Sequence, residues 1–167
     1  NDPEGQVQNI LLMGYIYGEE ERAQKLAIEV ESRYAELEKV VSRVPDGKRP
    51  LVLAIASFSN QFYGAGQGST EGGIIEVAGG VNTATLAGLN GNPVISLESI
   101  ISMMPDVILI TQPVESGRMV RDELLSNAAL SKVPAIENGN IHIVEPRLFT
   151  TLSFWPIILA TKSLYIL

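Results

Sequence analysis

Between Ala23 and Val44 apolar side chains recur at steps of three and four: Ala23, Leu26, Ala27, Val30, Tyr34, Leu37, Val41 and Val44. Glu29, Glu31, Arg33, Glu36 and Lys39 fill the other faces. That period describes one amphipathic helix with a single apolar stripe. Gly14 and Gly18 interrupt the stretch before it, and Glu19, Glu20 and Glu21 put negative charge on a first turn, where the helix dipole favours it. The pattern predicts a short helix over 4–16 and a long one over 19–43, about 37 Å long at 1.5 Å per residue. The turn cluster Pro45-Asp-Gly-Lys-Arg-Pro50 then ends the helix.

Past Pro50 the period changes. Leu51–Ala56 and Val107–Thr111 are unbroken apolar runs of strand length, as expected of strands covered on both faces, and Ile141–Val144 is a third candidate. Helical patterns fall between and after them, over 69–78, 97–103, 119–126 and 154–167. Alternation of strand and helix predicts right-handed crossovers and an α/β fold, a three-layer α/β/α lobe with a mostly parallel sheet. The expected organisation is a helical segment over 1–45 followed by an α/β lobe over 46–167.

In an open parallel sheet, ligands bind outside the carboxyl ends of the strands. Those ends are expected at Ser57, Thr111 and Glu145, which directs attention to the loops expected over 57–68, 112–118 and 145–153. The first holds Phe58, Phe62 and Tyr63, the second Arg118, the third Arg147 and Phe149, with Phe154 and Trp155 just beyond. Aromatics make up only 6% of the chain, so this concentration at one end of the sheet points to a ring-lined surface with guanidinium groups, suited to a large, flat or anionic ligand. The competing reading is that the rings plug the ends of the core and the arginines are solvated. Trp155, followed by Pro156, also fits a packing role at a helix start.

Composition removes several alternatives. The chain of 167 residues is long enough for one main core. A net charge of −7 repels phosphate backbones and anionic lipid surfaces, which excludes nucleic-acid binding through a basic patch as a leading reading. No cysteine is present, so thiolate metal sites, disulfides and a cysteine nucleophile are excluded. No apolar run of about 18 residues is available to span a bilayer.

The glycine-rich segment Tyr63–Gly73 raises the question of a phosphate cradle. A dinucleotide fingerprint counted from Gly66 and Gly68 would need a third glycine where Glu71 stands, and a P-loop would need a lysine before Ser69. Neither pattern fits. The glycines read instead as allowing tight turns before a helix starting near Ser69, with helix-terminal N–H groups left for a polar ligand atom. The single histidine, His142, lies mid-strand and reads as structural; no Ser-His-Asp grouping, HExxH or nucleophile elbow can be built. The chain is therefore expected to be no enzyme and to need no cofactor.

Four stretches together resemble one family. Residues 11–34 (LLMGYIYGEEERAQKLAIEVESRY) resemble the linking-helix region of class III periplasmic substrate-binding proteins, which serve ABC importers of ferric siderophores, haem and cobalamin. Residues 66–82 (GQGSTEGGIIEVAGGVN) resemble their Gly-Ser loop, helix and Ala-Gly-Gly-x-Asn turn. Residues 95–110 (ISLESIISMMPDVILI) are similar to their Ser-x-Glu and Pro-Asp-Val-Ile segments, and 130–146 (LSKVPAIENGNIHIVEP) to the approach to a late strand. Thr70-Glu71-Gly72-Gly73 departs from the family pattern in being more glycine-rich and acidic.

The resemblance implies the carboxyl-terminal half of a two-lobed protein, with residues 1–45 as the inter-lobe helical segment and the amino-terminal lobe absent. It implies that Phe58, Phe62, Tyr63, Arg118, Arg147, Phe149 and Trp155 lie on one wall of a cleft for an iron chelate, haem or cobalamin. Glu98 matches a glutamate that pairs with arginines of the importer's membrane permease subunits, although an acid in the first helical turn after a Ser96 N-cap also stabilises a helix by about 0.3–1 kcal/mol. The implied location is periplasmic or extracytoplasmic, compatible with a lipid anchor on the full-length protein. The single histidine and missing cysteines argue against the bare zinc or manganese branch of related proteins. Two other classes stay open at this point: a Rossmann-type cofactor-binding enzyme domain, and an interaction module of the same fold without a ligand.

Overall fold

The computed structural model describes residues 3–146. Arg147, Phe149, Trp155 and the helix expected over 154–167 lie outside the described residues. The chain divides after Pro45 into two compact units.

The first unit is a pair of helices, α1 (Pro3–Tyr17) and α2 (Glu20–Val41). At 22 residues α2 is about 33 Å long, slightly shorter than its apolar pattern predicts. Gly18 closes α1 with φ +67°: its N–H donates to the Tyr15 carbonyl at 3.4 Å and that of Glu19 to the Gly14 carbonyl at 2.8 Å. This pair of bonds is a Schellman motif, which needs a left-handed residue at the position glycine holds. The two helices approach closely where a Cβ on Gly14 would collide with that of Ala23. The Tyr34 hydroxyl, on the same stripe as Ala23, Ala27 and Val30, donates to Gln6 Oε1 at 2.8 Å.

The second unit is α/β. Its elements are β1 (Leu51–Phe58), β2 (Gln61–Gly64), α3 (Thr70–Val77), β3 (Val81–Asn82), α4 (Thr83–Leu86), β4 (Val94–Ile95) and α5 (Leu97–Met103). They are followed by β5 (Val107–Thr111), α6 (Val114–Ser126), α7 (Pro134–Glu137) and β6 (Ile141–Val144). The strands form one sheet in the order β4-β2-β1-β5-β6, with β3 beside the start of β1. β1 runs parallel to β3 and β5, and β5 parallel to β6, whereas β2 is antiparallel to both β1 and β4.

Strand alternation sorts the core into two faces. Leu53 and Ile55 of β1 and Ile108 and Ile110 of β5 pack with Ile100 of α5 and with Val120 and Leu124 of α6. On the other face of β1, Val52 and Ile75 of α3 converge so closely on Gly80 that a Cβ there would lie about 3 Å from each. Helices thus lie on both sides of the sheet, the three layers that the apolar strand runs require.

Two expectations need correcting. The segment after Ser57 is not a loop: β1 runs to Phe58 and turns directly into β2, so this end of the sheet is mixed rather than parallel. The helix expected from Met119 starts five residues earlier, at Val114, and carries Arg118 on its second turn rather than in a loop. Gly117 obscured that start in the sequence. It sits there because α6 crosses β6 so closely that a Cβ would lie 2.6 Å from Ile143 Cγ2.

Candidate functional site

Because β1, β5 and β6 are parallel, their carboxyl ends, Phe58, Thr111 and Val144, lie at the same end of the sheet. The last backbone pair between β1 and β5 is Ile55 with Ile110. Beyond it two side chains continue the connection. Thr111 Oγ1, in a residue only 5% exposed, donates to the Ile55 carbonyl at 3.2 Å. The Gln112 amide then makes two bonds to Ser57: its Oε1 accepts from the Ser57 N–H at 3.0 Å and its Nε2 donates to the Ser57 carbonyl at 2.9 Å. Pro113 follows and has no N–H to offer, so the side chain takes over where the backbone must leave the ladder. The sequence marked Ser57 only as a strand end and gave Gln112 no role; the available signal was a polar residue placed at once after an apolar strand run.

The predicted rings are separated by strand alternation. Phe62 is 8% exposed and belongs to the core, paired with Ile95 of β4. Phe58 is 71% exposed, and Tyr63 is half-buried with its hydroxyl donating to Gln61 Oε1 at 3.4 Å. In the β1–β2 register Phe58 faces Gln61 and Ala56 faces Tyr63, so Phe58, Gln61 and Tyr63 share the face opposite to Phe62. Arg118 is exposed on α6, the helix that covers the Phe62 side of the sheet. The structure therefore brings Phe58 and Tyr63 together and leaves Phe62 and Arg118 apart from them. Arg147, Phe149 and Trp155 lie outside the described residues.

The glycine-rich segment is a latch. Gly66 N–H donates to the Gly91 carbonyl and Gln67 N–H to the Leu89 carbonyl, while Gly91 N–H returns a bond to Gln67, all at 2.8 Å. A Cβ on Gly66 would collide with the Leu89 carbonyl, which explains the glycine. Ser69 caps α3, its Oγ accepting from the Gly72 N–H at 3.0 Å and donating to the Gly66 carbonyl at 2.7 Å. Asn82, 2% exposed, donates to the Ala65 carbonyl at 2.9 Å and accepts from the Ala84 N–H at 3.0 Å. Of the amides in this segment, those of Gly66, Gln67, Ser69 and Gly72 already have acceptors inside the protein.

Glu98 lies in the first turn of α5, behind the N-cap Ser96, which exchanges bonds with Ser99 in a capping box. The Ser96 hydroxyl and the Glu98 amide hold its carboxyl below the ordinary carboxylate range. β4 pairs with β2 through Ile95 and Phe62, so α5 begins at the same end of the sheet as Phe58. Glu98 is thus an exposed carboxylate beside the strand tips. His142 pairs in register with Leu109, and burial pushes its imidazole below the usual range. Among the described residues no group of three or more His, Cys, Asp or Glu side chains is placed to hold a metal ion, and no helix is long and apolar enough to cross a membrane.

A family model described as "Periplasmic binding protein" matches residues 2–148. Comparison with curated protein sequences finds no significant match. Among solved structures, a periplasmic haem-binding protein, RhuT from Roseiflexus sp. RS-1, superposes with TM-score 0.80 at 25% identity, over 96% of this chain and 62% of that one. IsdE of S. aureus, solved in complex with haem, gives 0.82 at 22% identity, over 99% and 64% of the two chains. An ABC-type Fe3+-hydroxamate transport system from Saccharomonospora viridis gives 0.76 at 19% identity, over 96% and 53%. The chain spans less than two thirds of each of these proteins.

Proposed function

Since the chain belongs to the periplasmic binding protein family, we propose that it is part of the extracytoplasmic substrate-binding component of an ABC importer, and that its second unit forms one wall of a cleft for a ferric siderophore or haem. The observation that carries this reading is Phe58: a ring 71% exposed at the carboxyl end of a parallel strand, with Tyr63 on the same face. An isolated exposed ring of that size is unfavourable in water, and a flat or apolar chelate pressed on it removes the exposure. Structures of the same fold are described as binding haem or as belonging to Fe3+-hydroxamate transport, which supports that ligand class. The role is binding and delivery rather than catalysis.

Glu98 is proposed as the contact to the membrane permease subunits. An exposed carboxylate whose charged form is favoured by hydrogen bonds from the Ser96 hydroxyl and its own amide has the chemistry to meet a guanidinium, and its place beside the strand tips fits a partner that approaches the mouth of the cleft.

Titration of a full-length protein with haemin, a ferric trihydroxamate and cyanocobalamin tests the proposal. Haemin or the trihydroxamate is expected to bind, and residues 1–167 alone to bind it at least about 100-fold more weakly, because one wall supplies only part of the contacts. Binding of none of the three, or undiminished affinity of the isolated chain, would overturn it.

A further inference from the structure

Phe58 sits at an exposed position that needs support. After it the chain reverses through Ser59 and Asn60, with φ of 49° and 57°, a conformation that side chains other than glycine adopt at a cost. A hairpin tip held only by its own partner strand opens readily. On the β1 side, beyond the Thr111 bond to Ile55, the support given by the described residues is the Gln112 amide, which bonds both the N–H and the carbonyl of Ser57, the residue next to Phe58.

We propose that Gln112 is a positioning residue for the ligand-facing hairpin, fixing the Phe58 ring by standing in for the next backbone rung between β1 and β5. The inference rests on the reading of these strand tips as a cleft wall. The chemistry demands an amide. Ser57 presents one donor and one acceptor, and only a group with an acceptor and a donor in one plane satisfies both, whereas an ionised carboxylate offers acceptors alone. With the clamp lost, Phe58 would occupy its binding geometry for a fraction of the time, and apparent affinity falls by that fraction.

The test uses Gln112→Ala and Gln112→Glu in a full-length protein, with a ferric trihydroxamate and haemin as probes at neutral pH and the trihydroxamate alone at low pH. Hydrogen-exchange protection of the 57–62 amides gives the second readout. At pH 7 both variants should lose about 10-fold in protection at the hairpin and about 5- to 20-fold in affinity. Below about pH 4, where the glutamate becomes protonated and regains a donor, Gln112→Glu should return to within about 2-fold of the wild type at the same pH, while Gln112→Ala should not. Unchanged hairpin protection in both variants, or equal defects of both at every pH, would overturn the clamp. A wild-type protein that binds neither probe would instead remove the cleft reading and the ligand half of this inference, while the exchange data still report on the clamp itself.

Discussion

Phe58 and Gln61 face each other across a turn of only two residues, Ser59 and Asn60, both in the left-handed region. Such a type I′ turn matches the right-handed twist of the strands and favours Asn-Gly at its centre. The double substitution Ser59→Asn, Asn60→Gly is therefore expected to stabilise the protein by about 1 kcal/mol, and Ser59→Val to destabilise it by at least as much. Urea denaturation with unchanged slope would register both shifts.

Gly66→Ala should be among the most damaging single-methyl changes in the chain. The added carbon meets the Leu89 carbonyl, and the three backbone bonds that tie 66–67 to 89–91 leave neither segment free to retreat. A loss of about 3 kcal/mol is expected by analogy with overpacked cores, and thermal melting of the variant measures it.

Asn82→Ala removes an N-cap and a buried donor at once, leaving the Ala84 N–H and the Ala65 carbonyl without their partners. The expected loss is about 2–3 kcal/mol, with Asn82→Asp recovering the cap but not the bond to Ala65. Comparing the two variants in denaturant separates the terms.

His142 gives the fold a pH dependence whose sign follows from its burial. The folded imidazole is held below its ordinary value of 6.5, so the unfolded chain binds the proton more readily. This contribution is complete above about pH 6.5 and is lost as the pH falls through the lowered folded value. His142→Phe should flatten that decline while leaving stability at pH 8 little changed, as read from denaturation midpoints across pH 5 to 8.

Glu98→Arg should separate binding from transport. The side chain is exposed, so affinity for the ligand is expected to stay within about 2-fold, while, on the docking role proposed for Glu98, importer-dependent uptake falls at least about 10-fold as the charge at that contact is reversed. Uptake assays in cells carrying a full-length protein, alongside titration of the purified variant, give both numbers.

Elements whose faces are set by local periodicity were legible in the chain. β5 and β6 occupy the apolar runs predicted for them, α5 follows Ser96 as an N-cap reading requires, and Gly18 ends α1. The hairpin β1–β2 was not legible, because Ser59-Asn60 carries no glycine to announce two left-handed residues. Nor was the start of α6, since the glycine at 117 answers to Ile143, a residue distant in sequence.

The candidate site divides in the same way. That rings gather near the ends of the strands is a property of the order of residues, and so is the acidic first turn at Glu98. Which ring reaches solvent depended on strand pairing: one step of alternation in β2 buries Phe62 against Ile95 and turns Tyr63 to the side of Phe58. The clamp from Gln112 to Ser57 joins residues 55 positions apart, and the latch from Gly66 to Gly91 joins loops on either side of two short helices. The sequence alone determined the alternation of strands and helices and the family to which it leads, because hydrophobic period and capping act between near neighbours in the chain. Tertiary structure decided which residues meet at the strand tips, because hydrogen-bond partners and close glycine contacts exist only once the sheet has set its register.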